Sequence, residues 1–237
     1  MVQKWKEDPG LHSCERKILG SQKIKTLDYE KVYKHEFLES DKLRDWESVD
    51  RCKHLWQWAI DKIDINPSSW SVIDVGTKDC QFPEWLIKDY VVEKAIGCEI
   101  ADDYLKYAES KGRPIVYANA CDMPKRMYKK FDMVFSHHLL GLVPDYLKGL
   151  NEMWKCVKPG GFMITLNDVP GNPRKHYSLI EDSKIFMDFM SQDEVIDSYP
   201  ALIFNDYWNN DFPKEWVFFI QKGLELPEEP QKKRMRA

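Results

Sequence analysis

The residues best suited to chemistry fall at intervals through the middle of the chain: Asp74 with Gly76, then Glu99, then Asp122, then the pair His137 and His138. Each acid closes or follows a short apolar, β-branched run. A carboxylate in such a place can accept hydrogen bonds from hydroxyls or amines, while an imidazole titrates near neutrality and can take a proton from a nucleophile. Gly76 lets backbone approach a ligand closely, and the helix start behind it offers free N–H groups to a carboxylate or phosphate. Taken singly, each acid is more often a helix cap than a ligand.

The elements that must position them are legible as changes of period. Residues 70–76, 94–100, 114–117, 131–136 and 162–166 are short apolar runs of strand type, and 84–90, 102–111 and 146–157 repeat at helical spacing between them. Pro83 is admissible in a first helical turn. Alternation of this kind argues for parallel β-α-β units. The aromatic run 215–221 adds a final strand. The expected fold class is α/β: a Rossmann-like doubly wound sheet, mostly parallel with an antiparallel last strand, and helices on both faces. Ligands of such sheets sit at the carboxyl ends of the strands, which is where the acids fall.

Before the first strand, Tyr29, Val32, Tyr33, Phe37 and then Leu55, Trp58, Ala59 and Ile63 recur at three- and four-residue steps, which predicts a helical cap over 28–65, ended by Asn66-Pro67-Ser68-Ser69. Residues 1–27 read as a polar arm and 224–237 as a disordered tail, leaving one domain over 28–223. With 237 residues, 43% of them hydrophobic, the chain can build its own core. The formal net charge of -4 excludes the bulk positive field of a non-specific nucleic-acid binder. No apolar run is long enough to span a bilayer, and the first residues lack a signal-peptide core, so a cytoplasmic protein is expected. Cys14, Cys52, Cys80, Cys98, Cys121 and Cys156 are scattered singly, which argues for reduced thiols and against a zinc site.

Order and spacing together resemble the class I S-adenosylmethionine-dependent methyltransferases of small-molecule type, over about residues 28–221. The matching stretches are Val72-Ile73-Asp74-Val75-Gly76, Ile96-Gly97-Cys98-Glu99-Ile100, Ala120-Cys121-Asp122-Met123-Pro124, Phe131-Asp132-Met133-Val134-Phe135-Ser136, Leu142-Val143-Pro144-Asp145 and Lys158-Pro159-Gly160-Gly161. The resemblance implies S-adenosylmethionine as cofactor. Asp74 and Gly76 would then wrap the methionine end, Glu99 with Ile100 would hold the ribose, and Asp122 with Met123 would read the adenine. Ser136, at the end of the fourth strand, would also belong to the cofactor site.

One departure stands out. Where the family reads acid-x-Gly-x-Gly-x-Gly, this chain has Asp74-Val75-Gly76-Thr77-Lys78-Asp79-Cys80. Lys78 either swings its ammonium onto the cofactor's carboxylate or fills the space the cofactor needs. The second outcome leads to a non-catalytic binding or scaffold protein of the same fold. An NAD-dependent oxidoreductase is less well matched, because the G-x-G-x-x-G turn keeps only its first glycine. Ser136-His137-His138-Leu139 also lacks the Asn/Asp-Pro-Pro-aromatic and Pro-Cys motifs of base methyltransferases.

His138, and next to it His137, are the candidate bases for a methyl transfer to an oxygen or nitrogen of a small or carrier-linked acceptor. No metal site is expected, since Asn167-Asp168 lacks an acidic partner after the fourth strand. Arg174, Lys175 and His176 form a cationic group that could meet an acidic acceptor or simply be solvated. Tyr207, Trp208, Phe212 and Trp216 are expected in packing rather than in base stacking. Nothing in the sequence specifies a nucleic-acid partner, a membrane or an oligomeric state.

Overall fold

The computed structural model describes residues 45–140, 142–168, 188–196, 201–207 and 215–223. The expected arm over 1–27, the first part of the cap, the Arg174–His176 cluster, Trp208, Phe212 and the tail over 224–237 lie outside the described residues. So do the side chains of Tyr207 and Trp216.

The chain enters through helix α1 (Asp45–Ile63). Its buried face is Cys52, Leu55, Trp56, Ala59 and Ile60, the three- and four-residue recurrence of one helical stripe, while Trp58 and Ile63 sit at its margin. Asn66 then stops it: its side chain accepts from the Ser68 amide at the start of a short turn. Next come β1 (Ser71–Val75), helix α2 (Gln81–Trp85, extended by a wider turn over Leu86–Tyr90), β2 (Lys94–Glu99), α3 (Asp102–Ser110) and β3 (Ile115–Tyr117). They are followed by β4 (Phe131–His137), α4 (Tyr146–Cys156), β5 (Val157–Asp168), a short α5 (Asp193–Ile196), β6 (Ala201–Tyr207) and β7 (Glu215–Gln221).

The seven strands form one sheet in the order β3-β2-β1-β4-β5-β7-β6. Strands β1 to β5 run parallel, and β7 is antiparallel to both its neighbours. The fold is therefore the doubly wound α/β sheet expected, with the last strand reversed. Strand order turns back between β1 and β4, and that switch point opens a crevice at the carboxyl ends of these two strands.

Both faces are covered. On one, Trp56 of α1 and Phe82 and Leu86 of α2 pack on Phe135, Phe162 and Phe219 of the sheet. On the other, Leu150, Met153 and Trp154 of α4 pack on Val134, Met163 and Phe218 together with Phe189 and Val195. Trp56 is fully buried and meets Trp70, Phe82 and Tyr90 edge-on, with ring centroids 5.5–6.3 Å apart.

Three element boundaries differ from expectation. Helix α2 begins at Gln81 because Cys80 adopts a left-handed conformation (φ 64) that turns the chain into it. Lys158-Pro159-Gly160-Gly161, expected as a turn before the fifth strand, lies within β5 as a bulge between the pairs Phe131–Val157 and Met133–Phe162. Its amides and carbonyls are claimed by the end of β7: Gly160 donates to the Lys222 carbonyl at 3.0 Å, and Lys222 donates to that of Gly161 at 2.8 Å. Strand β6 has no counterpart in the sequence reading. It pairs only with β7, and Ala-Leu-Ile-Phe-Asn-Asp-Tyr shows no clean alternation. No helix among the described residues is long and apolar enough to cross a membrane.

Candidate functional site

The loop from β1 to α2 is the centre of the site. Gly76 (φ 76), Lys78 (φ 55) and Cys80 (φ 64) all adopt the left-handed conformation. These are the three positions at which the resembled family carries glycine. Two of them thus keep a glycine-type backbone despite bearing side chains, at a steric cost on the order of 1 kcal/mol each. At Gly76 a Cβ would lie 2.8 Å from Leu139 Cδ1, so a larger residue would displace that side chain as well as strain the backbone at φ 76.

Packing and hydrogen bonds from neighbouring elements enforce this shape. The amides of Gly76 and Thr77 donate to the Cys98 carbonyl at 3.0 and 3.2 Å, tying the loop to β2. Gly97 is the floor beneath it: a Cβ there would meet Thr77 Cγ2 at 2.4 Å and Cys80 Sγ at 2.7 Å. The Cys80 thiol donates to the Pro114 carbonyl at 3.2 Å, and burial pushes its pKa up to about 12, so it acts as a structural group. From outside, the Arg113 guanidinium reaches Asp79 Oδ2 and Glu84 Oε2, each at 2.6 Å, and the Asp79 carbonyl at 3.0 Å.

Inside the loop a small, partly open cleft lies between it and α1. Asp74, Gly76, Lys78 and His137 line it, with Val49 and Cys52 of α1 opposite. Asp74 is 4% exposed. Burial raises its pKa to about 7, and the Glu99 carboxylate pushes in the same direction. Glu99 is half-buried at the end of β2. Its Oε1 accepts from the amides of Ile100 at 2.7 Å and Ala101 at 3.2 Å, and its Oε2 from the amide of Lys78 at 3.1 Å. Burial raises its pKa, against which these N–H groups and the Lys78 ammonium act.

The cleft gathers four of the expected residues directly, and Glu99 and Ile100 join it through the Lys78 amide. The others are placed differently. Asp122 is exposed in a turn closed by its amide on the Asn119 carbonyl (2.9 Å), beyond β3 and outside the cleft. Met123 is 2% exposed in the core, and its amide donates to Glu152 Oε2 at 3.1 Å, so that N–H is not available to an adenine. Ser136 is fully buried, and alternation along β4 sends it to the α4 face, beside Val75 and Thr165 in the sheet; its hydroxyl has no protein partner.

The same alternation sends His137 to the α1 and α2 face, into the cleft. His138 turns off the strand in a left-handed conformation (φ 54), donating its amide to the Leu166 carbonyl, with its ring edge-on to His137 at 4.1 Å between centroids. It is His137 rather than His138 that lines the cleft. Sequence reasoning missed Arg113, Val49 and Cys52. Nothing local marks them, because their contacts with the loop span distances along the chain that only the fold closes.

Residues 73–165 match a family model described as a methyltransferase domain. The middle of the chain, which carries β1 to β5 and the strand-end carboxylates, is thus similar to a methyltransferase domain. A demethylmenaquinone methyltransferase of Lysinibacillus sphaericus (strain C3-41) is 34% identical over 84 residues, 32% of this chain and 36% of that protein, so the chain spans about a third of the relative's length. Among solved structures, the N-methyltransferase NodS of Bradyrhizobium japonicum WM9, in complex with S-adenosyl-L-homocysteine, superposes with a TM-score of 0.59 at 11% identity, over 83% of this chain and 99% of that one. A chain from the complex between the Haloferax volcanii Trm112 methyltransferase activator and a methyltransferase gives 0.57 at 13% identity, over 83% and 98%. At such identities these structures share the fold.

Proposed function

We propose that this chain transfers a methyl group from S-adenosylmethionine to an oxygen or nitrogen of a small or carrier-linked acceptor. The observation that carries the reading is the β1–α2 loop, which holds the family's left-handed backbone at residues 76, 78 and 80 above a cleft containing a buried carboxylate. The left-handed turn at Gly76, with carboxylates at Asp74 and Glu99 on either side of it, is the feature we match to a nucleoside joined to an amino acid. In this reading Glu99 accepts from the ribose and Asp74 faces the amino-acid end. Asp122, at the outer end of β3, is left for the adenine amine.

S-adenosylmethionine supplies a methyl group on a sulfonium; as the S–C bond breaks, its electron pair stays on sulfur and a bond forms from carbon to the acceptor. The protein contributes mainly proximity and orientation. An acceptor O–H or N–H must lose its proton, and His137, as the imidazole on the cleft, is the group to receive it. The supporting experiment is calorimetric binding of S-adenosylmethionine and S-adenosylhomocysteine, followed by mass spectrometry for methylated product in a cell extract. Binding of neither ligand would refute the reading.

A second reading, a non-catalytic binder of the same ligands, is favoured by Lys78 standing in the cleft where the family has glycine. Tight binding with no product formed would select it.

A further inference from the structure

We propose that Lys78 selects ligands by charge, tilting the cleft toward the neutral sulfide S-adenosylhomocysteine and away from the cationic sulfonium S-adenosylmethionine. The inference rests on the reading that the cleft holds an adenosine joined through sulfur to an amino acid.

The argument follows from where residue 78 stands. Its backbone is tied to Glu99, through the 3.1 Å bond from its amide to Oε2, at the ribose end. Lys78 lines the cleft with Asp74, Gly76 and His137, and its ammonium acts on both Glu99 and Cys52. Sulfur is the atom that joins ribose to amino acid. A ligand stretched from Glu99 to Asp74 therefore carries its sulfur past Lys78.

The two ligands share their adenosine, ammonium and carboxylate, and differ by one methyl group and one positive charge on that sulfur. Any contact between Lys78 and the carboxylate is common to both and cancels in the ratio of affinities. Repulsion between the ammonium and the sulfonium does not cancel. The loop's other acid, Asp79, also lines the cleft, where Arg113 at 2.6 Å offsets its charge and Gln81 holds it at 2.7 Å, and it is the same in every variant at position 78. Asp74 and Glu99 attract the sulfonium; the Lys78 ammonium lowers the Glu99 pKa, so its loss weakens that attraction and opposes the change expected from the lost repulsion. Coulomb repulsion between unit charges a few ångströms apart at a partly wet site corresponds to about a tenfold difference in affinity, or about 1.4 kcal/mol.

The test is titration calorimetry on the full chain with both ligands, comparing the native protein with Lys78→Gln and Lys78→Arg. The expected result is a ratio Kd(S-adenosylmethionine)/Kd(S-adenosylhomocysteine) that falls about tenfold in Lys78→Gln and is kept in Lys78→Arg. In the native protein the ratio should shrink as salt screens the charges. Lys78→Met supplies a second neutral side chain if the Gln variant does not fold. An unchanged ratio in the neutral variants overturns the inference, and so does a ratio lost equally in Lys78→Arg, which would make shape the cause. Failure of the native protein to bind either ligand instead overturns the proposed function itself.

Discussion

At the residue scale, a carboxyl group shut away from water keeps its proton longer than one in solution, and Asp74 illustrates the consequence. Its pKa is raised from 3.8 to about 7 by burial, so between those values the folded protein holds a proton that the unfolded chain has released. Stability contributed at this position therefore falls as pH rises through that window and is flat above it. Asp74→Asn should be more stable than the native chain above about pH 7, with the difference closing toward about pH 4, as read by urea unfolding across pH. Glu99 allows a count of a different kind. Of the roughly four acceptor positions on a carboxylate, three are taken by the amides of Ile100, Ala101 and Lys78, which leaves one on Oε2. A ribose would then donate through one hydroxyl only. Of the 2′-deoxy and 3′-deoxy forms of S-adenosylhomocysteine, one should bind about tenfold more weakly and the other nearly as well as the parent, measured by calorimetry. The acids themselves were legible in sequence, because they end apolar runs. Their partners were not: nothing in the sequence indicates that the Met123 amide belongs to Glu152, or that Ser136 and His137 leave β4 on opposite faces.

At the scale of the element, the β1–α2 loop stores steric strain that its surroundings hold in place. Lys78→Gly removes a Cβ from a left-handed residue and should raise stability by about 1 kcal/mol, seen as a higher denaturation midpoint. Arg113→Ala acts in the opposite direction. It leaves Asp79, whose side chain is 7% exposed, without its cation, at a cost of about 3 kcal/mol, and should loosen the loop enough to weaken ligand binding measured by calorimetry. Strands and helices of the parallel core could be placed to within a few residues, because β1, β2 and β4 are apolar runs bounded by breakers. Lys158–Gly161 was misjudged for a physical reason: Pro and two glycines signal a turn locally, while the hydrogen bonds that keep them in β5 come from Lys222, far along the chain. Strand β6 escaped because an edge strand needs little apolar alternation.

At the scale of the whole molecule, the sheet is thickest in pairing at its centre. Strands β4 and β5 are covered on both faces by aromatic side chains, whereas β3 has three residues and leaves Tyr117 46% exposed. Amide hydrogen exchange should accordingly be slowest in β1, β4 and β5 and fastest in β3 among the strands, with protection in the centre approaching that set by global unfolding. Loss of this gradient would show that the two halves of the sheet open together.

The reversed strand β7 carries a consequence for how the chain is made. It pairs with β5 along Phe162–Asp168, and just beyond it the buried Lys222 donates its Nζ to the Trp154 carbonyl at the end of α4, clasping helix, bulge and strand in one place. During synthesis the parallel strands emerge first and β5 waits with one edge bare until residues 215–223 arrive. A ribosome stalled before that point, or a protease cutting there, would release a half-finished sheet able to pair with another copy of itself. The last strand is thus the step at which a closed sheet parts from an aggregate.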